Sequence, residues 1–352
     1  MKTFIRATGN ISPQETLGPG PLLQDLVIQT GNRLACIEPD YLKYIDIKFI
    51  RRMSRIIKMG TAAAMECLFE AGVKNPDAIT MGTAYGCLED TGVFLKKMLT
   101  QNEEMLTPTA FIQSTHNTIG AQIALLLQCH NYNNTFVHRG FSFESALLDA
   151  MMLLEENTVQ TVLTGAADEI TDASHAILSR FGLYKKEPIA STDLFASHTK
   201  GTIAGEGAAF FLLSNQPSAT DYASLDAVYT FYKPAGIVEV EEHITGLLEQ
   251  QGLSLTDIDL VMEGNNGDAK GDGIYYALDK TIFAQHPKAY YKHLCGEYPT
   301  STGFALWLAA SIIKNKLLPF ALGHSPAHGI KRILVYNHYE NLHHSLMLLS
   351  AC

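Results

Sequence analysis

The chain has 352 residues, of which 47% are hydrophobic, so it can bury one large core or two fused cores. Its 26 Lys and Arg face 36 Asp and Glu, and the net charge of -10 argues against nucleic acid as the main partner. No apolar run reaches the roughly 18 residues that a membrane span needs. The 6 cysteines have neither CxxC nor metal-type spacing, so we expect no metal or other cofactor and a reduced, cytoplasmic setting without membrane insertion.

The predicted elements alternate between strands and helices along the chain. In the first part, strands are predicted at 2–7, 78–84, 135–138, 159–163 and 208–213, and helices at 55–71, 91–99, 116–128 and 142–155. In the second part, strands are predicted at 225–231, 257–262, 289–291, 332–336 and 345–349, and helices at 238–251, 274–284 and 301–315. This alternation predicts βαβ units and largely parallel sheets. We expect two similar α/β halves, residues 1–215 and 216–352.

Four segments together resemble the β-ketoacyl synthase branch of the thiolase superfamily. They are Arg51-Arg-Met-Ser-Arg55, Thr164-Gly-Ala-Ala-Asp-Glu169, Gly201-Thr-Ile-Ala-Gly-Glu-Gly-Ala208 and Lys292-His-Leu-Cys-Gly-Glu-Tyr-Pro-Thr-Ser-Thr-Gly303. Each is modestly specific alone, whereas their order and spacing over nearly the whole chain form a strong signal. The resemblance implies an α/β thiolase fold, with two βαβαβαββ halves in a five-layered αβαβα arrangement. It also implies a dimer across the strand and helix near residues 110–138.

The nucleophile position of that family carries glycine here. A ketosynthase takes the acyl group onto a cysteine at the amino end of a buried helix, where the helix dipole stabilises the thiolate. Counting back from the shared Asp149-Ala150 of the following helix places Gly140 at that position. No cysteine occurs between Cys129 and Cys295, so no shift of the count restores the thiol. The N-terminal half thus carries a degenerate nucleophile turn.

The two histidine positions of the family carry glutamates, both in the C-terminal half. The segment Leu260-Val-Met-Glu-Gly-Asn-Asn266 places Glu263 at the first, and the retained family lysine Lys292 places Glu297 at the second. An ionised carboxylate cannot donate a hydrogen bond to a forming enolate and would repel its charge. We consider two roles: the glutamates share a proton in one pocket, or they form a lock with Lys292 or Arg139.

The glycine-rich C-terminal loop of the family is also missing, because the chain has Asn337-His-Tyr-Glu-Asn-Leu-His-His344 there. We therefore expect no catalytic residue of the family to remain. A serine nucleophile is an alternative, since Ser142 lies near Gly140 and His138 could serve as a base, although the second glycine of a Gly-x-Ser-x-Gly elbow is lacking. Cys295 is another, although a nearby carboxylate raises a thiol pKa and a small buried hydrophobic residue is the simpler interpretation.

A chain that resembles a ketosynthase but lacks its catalytic residues is typical of chain-length-factor subunits in type II polyketide systems. The segments Gln113-Ser-Thr-His-Asn-Thr-Ile-Gly120 and Phe141-Ser-Phe-Glu-Ser145 resemble ketosynthase-like subunits of aryl polyene and flexirubin-type clusters. We expect a subunit, inactive alone, that pairs with an active β-ketoacyl synthase to extend polyketide, polyene or fatty acyl chains on an acyl carrier protein. An active thioester hydrolase or acyltransferase using Ser142 or Cys295 is one alternative, and a structural or regulatory homodimer is the other. The residues expected at the acyl tunnel or the partner interface are Phe111, Gln113, His116, Phe136, His138, Phe141 and Phe143.

Overall fold

The structure is a computed structural model that describes residues 2–18, 22–319, 322 and 329–352. The strands within these ranges are β1 (Thr3–Ile11), β2 (Thr30–Gly31), β3 (Ala78–Gly82), β4 (Tyr132–Phe136), β5 (Thr161–Asp168), β6 (Ile189–Ala190), β7 (Gly207–Ser214), β8 (Ala223–Tyr232), β9 (Leu260–Glu263), β10 (Lys288–Tyr290), β11 (Arg332–Tyr339) and β12 (His343–Ser350). The α-helices are α1 (Ile47–Ile50), α2 (Arg55–Ala71), α3 (Leu88–Thr100), α4 (Pro108–Gln113), α5 (Thr118–Leu127), α6 (Ser142–Glu155), α7 (Asp172–Arg180), α8 (Ile237–Gln250), α9 (Gly273–Leu278), α10 (Lys292–Cys295) and α11 (Thr302–Asn315).

The sheet consists of two sets of strands with the same order. The first set runs β4-β3-β5-β7-β1 and the second runs β10-β9-β11-β12-β8. In each set the first three strands are parallel and the last two are antiparallel to their neighbours. β1 and β8 join the sets through a short antiparallel pairing, in which Thr3 lies opposite Leu225. This repetition is the duplicated βαβαβαββ architecture that the sequence predicts.

Three large hydrophobic clusters show how the layers are stacked. The central cluster combines side chains of α6 and α11 with the inward faces of both sets of strands. A second cluster packs α2 and α5 on the outer face of the first set, and a third packs α8 and α9 on the outer face of the second set. Since alternate strand residues point to opposite faces, β5 and β11 each contribute side chains to two clusters. The resulting order of layers is αβαβα, as expected for a thiolase fold.

α6 lies in the central layer of the molecule and positions the turn that contains Gly140. Its apolar residues are spread around the helix, and it is covered on most sides, as its sequence predicts. Gly82 in β3 allows the close approach, because a Cβ atom there would lie 2.4 Å from the carbonyl oxygen of Ser142. The predicted boundaries of α6 are confirmed. The predicted helix at 116–128 is observed as α5, two residues shorter at its start and one at its end, whereas α4 and α7 were not predicted.

Candidate functional site

The turn that precedes α6 has no space for a nucleophilic side chain. After β4 the chain forms a short 3-10 turn over Arg139–Phe141, in which Arg139 has a φ of 49°. Gly140 is buried in this turn, and a Cβ atom there would lie 2.6 Å from Cβ of Tyr339 and 3.0 Å from Cβ of His343. Real Cβ atoms essentially never come within 3.0 Å of another heavy atom outside their own chain segment. The C-terminal hairpin therefore occupies the space in front of residue 140.

That hairpin is formed by the segment that replaces the glycine-rich loop. β11 ends at Tyr339 and β12 begins at His343, with Glu340 and Asn341 in left-handed conformations between them. The hydroxyl groups of Tyr339 and Tyr85 are 3.1 Å apart, which ties the end of β11 to the loop after β3. The ring of His343 also contacts that of Phe141, with centroids 4.7 Å apart. The segment 337–344, which replaces the glycine-rich loop, thus packs over Gly140 as a hairpin.

Ser142 uses its hydroxyl group within the local turn. Its Oγ donates to the carbonyl oxygen of Arg139 at 2.8 Å and accepts from the backbone amide of His138 at 2.8 Å. The imidazole of His138 is not part of either bond; its ring contacts Phe141 and His343 instead. The geometry gives Ser142 a capping role and no paired base among the described residues.

Cys295 is fully buried in α10. Its Sγ lies 3.3 Å from the carbonyl oxygen of Gly296, to which the thiol donates. Burial raises the pKa of the Cys295 thiol well above its usual value, although the charge of Lys292 acts in the opposite direction. A buried thiol held in its neutral form is a poor nucleophile.

Lys292 and Glu297 form a buried ion pair at the start of α11. Nζ of Lys292 donates to Oε2 of Glu297 and, at 2.6 Å, to Oγ of Ser301. The backbone of Glu297 is fixed as well, because its amide donates to Ile203 at 2.8 Å and its carbonyl accepts from Gly205 at 2.9 Å. Burial raises the pKa of Glu297, and Lys292 partly offsets that rise. The predicted lock with Lys292 is therefore present for this glutamate.

Glu263 faces a different layer of the protein. In β9, Leu260 and Met262 belong to the central cluster and Val261 to the outer one, so alternation turns Glu263 outward. Its neighbour across the strands, Tyr336, is also in the outer cluster. The structure thus separates Glu263 from the ion pair of Lys292, and the two glutamates do not share a pocket.

The carboxyl group of Glu263 is buried without a hydrogen-bond partner among the described residues. Burial raises its pKa to about 8, and the charge of Asp279 adds to this effect while Lys288 opposes it. The next residue offers no alternative site for an imidazole, since a Cβ atom at Gly264 would lie 2.1 Å from Oδ1 of Asn337. Glu263 therefore lies in the outer layer and does not line the cavity beside Lys292 and Glu297.

The seven residues expected at the tunnel or interface fall into two groups. Phe111, His116 and His138 are exposed, and Gln113 and Phe136 are half-buried. Phe136 ends β4, whereas Phe111 lies on α4 and its ring contacts that of Phe94 in α3. Phe141 and Phe143 are buried in the interior. The ring of Phe143 packs against Phe211, with centroids 5.8 Å apart. Five of the seven are thus at least partly accessible, the other two are buried, and the role of the set at a tunnel or interface stays a prediction.

A cavity of about 290 Å³ opens beside the ion pair. Glu297, Asn266, His338 and Thr202 line it, and each has a buried polar atom without a hydrogen-bond partner among the described residues. Tyr339 lines the same cavity and also covers Gly140, so it separates the two. Sequence reasoning missed Asn266 and His338 as site residues. Asn266 lies in the segment of Glu263, and His338 lies in the segment that replaces the glycine-rich loop. In both segments the sequence indicated only that family residues are missing.

Glu144 is a second residue that sequence reasoning missed. It is fully buried in the first turn of α6, and burial raises its pKa to about 7. The nearby hydroxyl groups of Thr302 and Ser345 and the charge of Lys292 lower the pKa in part. No sequence signal marks this carboxyl group, because its position depends on the packing of α6 against α11. Within the described ranges, no three or more His, Cys, Asp or Glu side chains are grouped so as to hold a metal ion.

Comparison with known proteins agrees with this fold. Residues 38–206 match the sequence model of the family described as "Beta-ketoacyl synthase, N-terminal domain". No curated protein sequence matches the chain significantly. Among solved structures, "The ishigamide ketosynthase/chain length factor" is similar with a TM-score of 0.81 at 17% identity, over 100% of this chain and 99% of that one.

Two further solved structures are similar over 100% of this chain. One is a type II acyl carrier protein in complex with its ketosynthase bound to the hexaketide, with a TM-score of 0.75, 15% identity and 99% of that chain covered. The other is the ketosynthase ApeO in complex with its chain length factor ApeC from Xenorhabdus doucetiae, with a TM-score of 0.75, 14% identity and 98% of that chain covered.

The fold is that of the thiolase-like ketosynthases. Residues 38–206 match the β-ketoacyl synthase family model, and the fold of the chain is similar to those of the ketosynthase and chain length factor structures. Within the part of the chain that the structure describes, every helix is too short or too polar to span a bilayer.

Proposed function

We propose that the chain is a non-condensing, chain-length-factor-like subunit that pairs with an active β-ketoacyl synthase. The heterodimer would elongate a polyketide, polyene or fatty acyl chain carried by an acyl carrier protein in the cytoplasm. The single observation that carries the proposal is the closed turn at Gly140, where Tyr339 fills the space that a nucleophile needs. A subunit with this turn cannot itself hold an acyl group there, so condensation requires a second, competent subunit.

The surface around β4 supports a protein partner. β4 ends the strand order, so one edge of it has no neighbouring strand within the described residues, and its first residues are exposed. Unpaired edges of this kind pair readily with another strand. The neighbouring helix α5 packs against β4, and three large apolar side chains of α4 and α5 are exposed, with Phe111, Ile112 and Leu125 at 57%, 60% and 60%. An exposed apolar patch of this kind is typical of an interface with another protein.

A partner with the same fold would fit this surface best. Antiparallel pairing of two β4-type edges would continue the sheet across both subunits, and the apolar residues of α4 and α5 would flank the joint. The exposed residues of the expected tunnel set, Phe111, His116 and His138, would then face the partner. The similar structures of a ketosynthase with its chain length factor and of a ketosynthase with its acyl carrier protein support the choice of partners.

The alternative as a hydrolase or acyltransferase has less support from the geometry. Ser142 is engaged in the turn, and Cys295 is buried with a raised pKa. Either residue would have to leave its present contacts in order to attack a thioester. The homodimer alternative uses the same β4 surface and is separated from the proposal only by the identity of the partner.

Co-expression with the ketosynthase encoded beside it tests the proposal. We expect a stable 1:1 complex by native mass spectrometry, and loss of chain elongation when this chain is omitted from an assay with acyl carrier protein and extender unit. The purified chain alone should not become acylated when it is incubated with an acyl-carrier thioester. A homodimer that has no effect on condensation, or acyl transfer to Ser142 or Cys295 shown by peptide mapping, would replace this proposal by the corresponding alternative.

A further inference from the structure

Three histidines are buried at the tip of the hairpin that covers Gly140. The hairpin tip is residues 338–344, in which His338 lies near the end of β11, and His343 and His344 begin β12. The three side chains are 1%, 7% and 0% exposed. Each has a buried ring nitrogen without a hydrogen-bond partner among the described residues. Because burial removes the hydration that a charged imidazole needs, the closed hairpin favours the neutral form of all three.

The imidazoles of the hairpin tip lie in two pairs. His338 and His344 are directly opposite each other on β11 and β12, and their ring centroids are 5.4 Å apart. His343 faces His138 of the turn before α6, with 6.3 Å between the centroids. Nδ1 of His344 also lies 3.0 Å from the hydroxyl group of Tyr336. Since like charges at opposite positions of antiparallel strands repel each other, protonation of both members of a pair would destabilise the closed tip.

Basic groups face His343 from the turn that it covers. Burial lowers the pKa of His343, and the charges of His138 and Arg139 lower it further. The rings of Tyr232 and Tyr339 also contact it, at 5.2 and 6.2 Å between centroids. A proton on His343 would therefore meet two basic groups across the contact that closes the turn.

His338 is held in its neutral form as well. Burial lowers its pKa well below the usual value, and the charges of His344 and Lys292 act in the same direction. Its ring is stacked on that of Tyr275, with centroids 4.6 Å apart. Nδ1 accepts from the backbone amide of Asn341 at 3.2 Å, so the neutral ring carries its proton on Nε2. A second proton on this ring would break the bond to Asn341.

His344 shows in which direction pH acts on the tip. Burial lowers its pKa from 6.5 to about 4; His243 and His343 add to this effect, whereas the backbone of Asn341 and the charge of Glu239 oppose it. An open, hydrated tip binds protons as the pH falls below 6.5, and the closed tip does not. A single histidine with this difference increases the open population about tenfold at pH 5.5.

We propose that the hairpin tip is an acid-released latch, closed over Gly140 while its histidines are neutral and opened when they are protonated. Tyr339 belongs to the tip and separates the cavity beside Glu297 from Gly140, so opening would join the two spaces. The strands behind the tip stay paired, because opposite residues such as Val335 and Met347 belong to the central cluster. The proposal goes beyond the role in chain elongation and concerns a conformational change of this chain itself.

Hydrogen exchange of the purified chain at pH 7.5 and pH 5.5, followed by mass spectrometry, tests the proposal. We expect the protection factors of residues 338–344, corrected for the intrinsic exchange rate at each pH, to be at least tenfold lower at pH 5.5. The fully buried strand β7 is the reference in the same sample and should keep its protection. An unchanged tip, or equal loss of protection in the tip and in β7, would overturn the proposal, since the second result means global acid unfolding.

Variants assign the response to the histidines. His343→Phe and His344→Phe keep an aromatic ring in place but cannot be protonated, so each should reduce the ratio between the two pH values several-fold. His198→Phe is the matched control, because His198 is exposed outside the hairpin, and it should keep the full response. A full response in both hairpin variants would overturn the proposal.

The comparison of the unmodified chain at the two pH values needs no variant, so it still decides if a substitution impairs folding. Both measurements use the purified chain, whereas the assembly test uses native mass. The latch and the heterodimer can therefore fail independently.

Discussion

Tyr339 lies directly against Gly140, and a Cβ atom on residue 140 would come within 2.6 Å of the Tyr339 Cβ atom. One residue belongs to the turn before α6 and the other to the end of β11, so the contact joins the two halves of the sequence. It closes the place where the parent family has its reacting thiol. Restoring the missing atom is therefore not sufficient to restore the chemistry.

Gly140→Cys should be destabilising and chemically silent. The new side chain must displace Tyr339 or His343, and overpacking of this kind costs about 1–3 kcal/mol. We expect a lower denaturation midpoint in urea and no acyl adduct by mass spectrometry after incubation with an acyl-carrier thioester. The matched control is Gly246→Cys in α8, where an added Cβ atom meets nothing within 4 Å and should not destabilise. A covalent acyl group on residue 140 would contradict this account of the site.

Glu263→Gln should stabilise the protein at alkaline pH. Burial raises the pKa of Glu263 from 4.5 to about 8, so the folded chain retains a proton that the unfolded chain has lost. The free energy of unfolding therefore falls as the pH rises from about 4.5 to about 8, and glutamine removes this loss. One pKa unit corresponds to ~1.4 kcal/mol, so we expect a gain of about 5 kcal/mol at pH 9 and almost none at pH 4.

Urea denaturation at both pH values measures this difference. Glu249→Gln, at an exposed position of α8, should show no pH-dependent change in stability. An equal effect of Glu263→Gln at pH 4 and pH 9 would mean that Glu263 is not held neutral in the folded protein.

Lys292→Met alone should destabilise the protein more than Lys292→Met combined with Glu297→Gln. Removal of the lysine leaves the carboxylate of Glu297 buried without its counter-charge, which costs about 3–5 kcal/mol for pairs of this kind. Lys292→Met together with Glu297→Gln should recover most of that loss. A double-mutant cycle by chemical denaturation measures the coupling, and additive effects of the two changes would show that the pair is not coupled.

Ile112→Asp should weaken assembly with the partner subunit. The residue is 60% exposed on α4, within the proposed interface, and a charge at the centre of an apolar interface costs ~2 kcal/mol or more, which is about a 30-fold loss in affinity. Val238→Asp is the matched control, because Val238 is 62% exposed on α8, in the outer layer of the other half. Analytical ultracentrifugation of the co-expressed complex measures both variants. Equal effects of the two substitutions would place the interface elsewhere.

Much of the fold could be predicted from the sequence because it depends on local periodicity. α6 was predicted with its observed boundaries, and α11 and β7 within one residue at each end. The helix predicted at 116–128 is observed as α5 at Thr118–Leu127, so only its ends differ, whereas the six-residue helix α4 was not predicted. A helix as short as α4 has too few residues for its apolar spacing to be distinguished from that of a loop.

The candidate site was predicted in part. The sequence placed Gly140 before α6 and Glu297 near Lys292, because both relations are short-range. It did not show that Glu263 faces the outer layer, since that depends on the register of β9 with β11. It also did not mark His338 and Asn266, which meet at one cavity only after distant segments fold together.

The amino-acid sequence alone determined the alternation of elements and the absence of a thiol before α6, which are properties of residue type and spacing. The thiolase-type scaffold followed from the resemblance to the β-ketoacyl synthases. Only the tertiary structure decided that Tyr339 fills the site, that the two glutamates lie apart and that unpaired acceptors line a cavity. Each of these depends on contacts between segments far apart in the chain, and the pairing and pleat of the strands set which side chains meet.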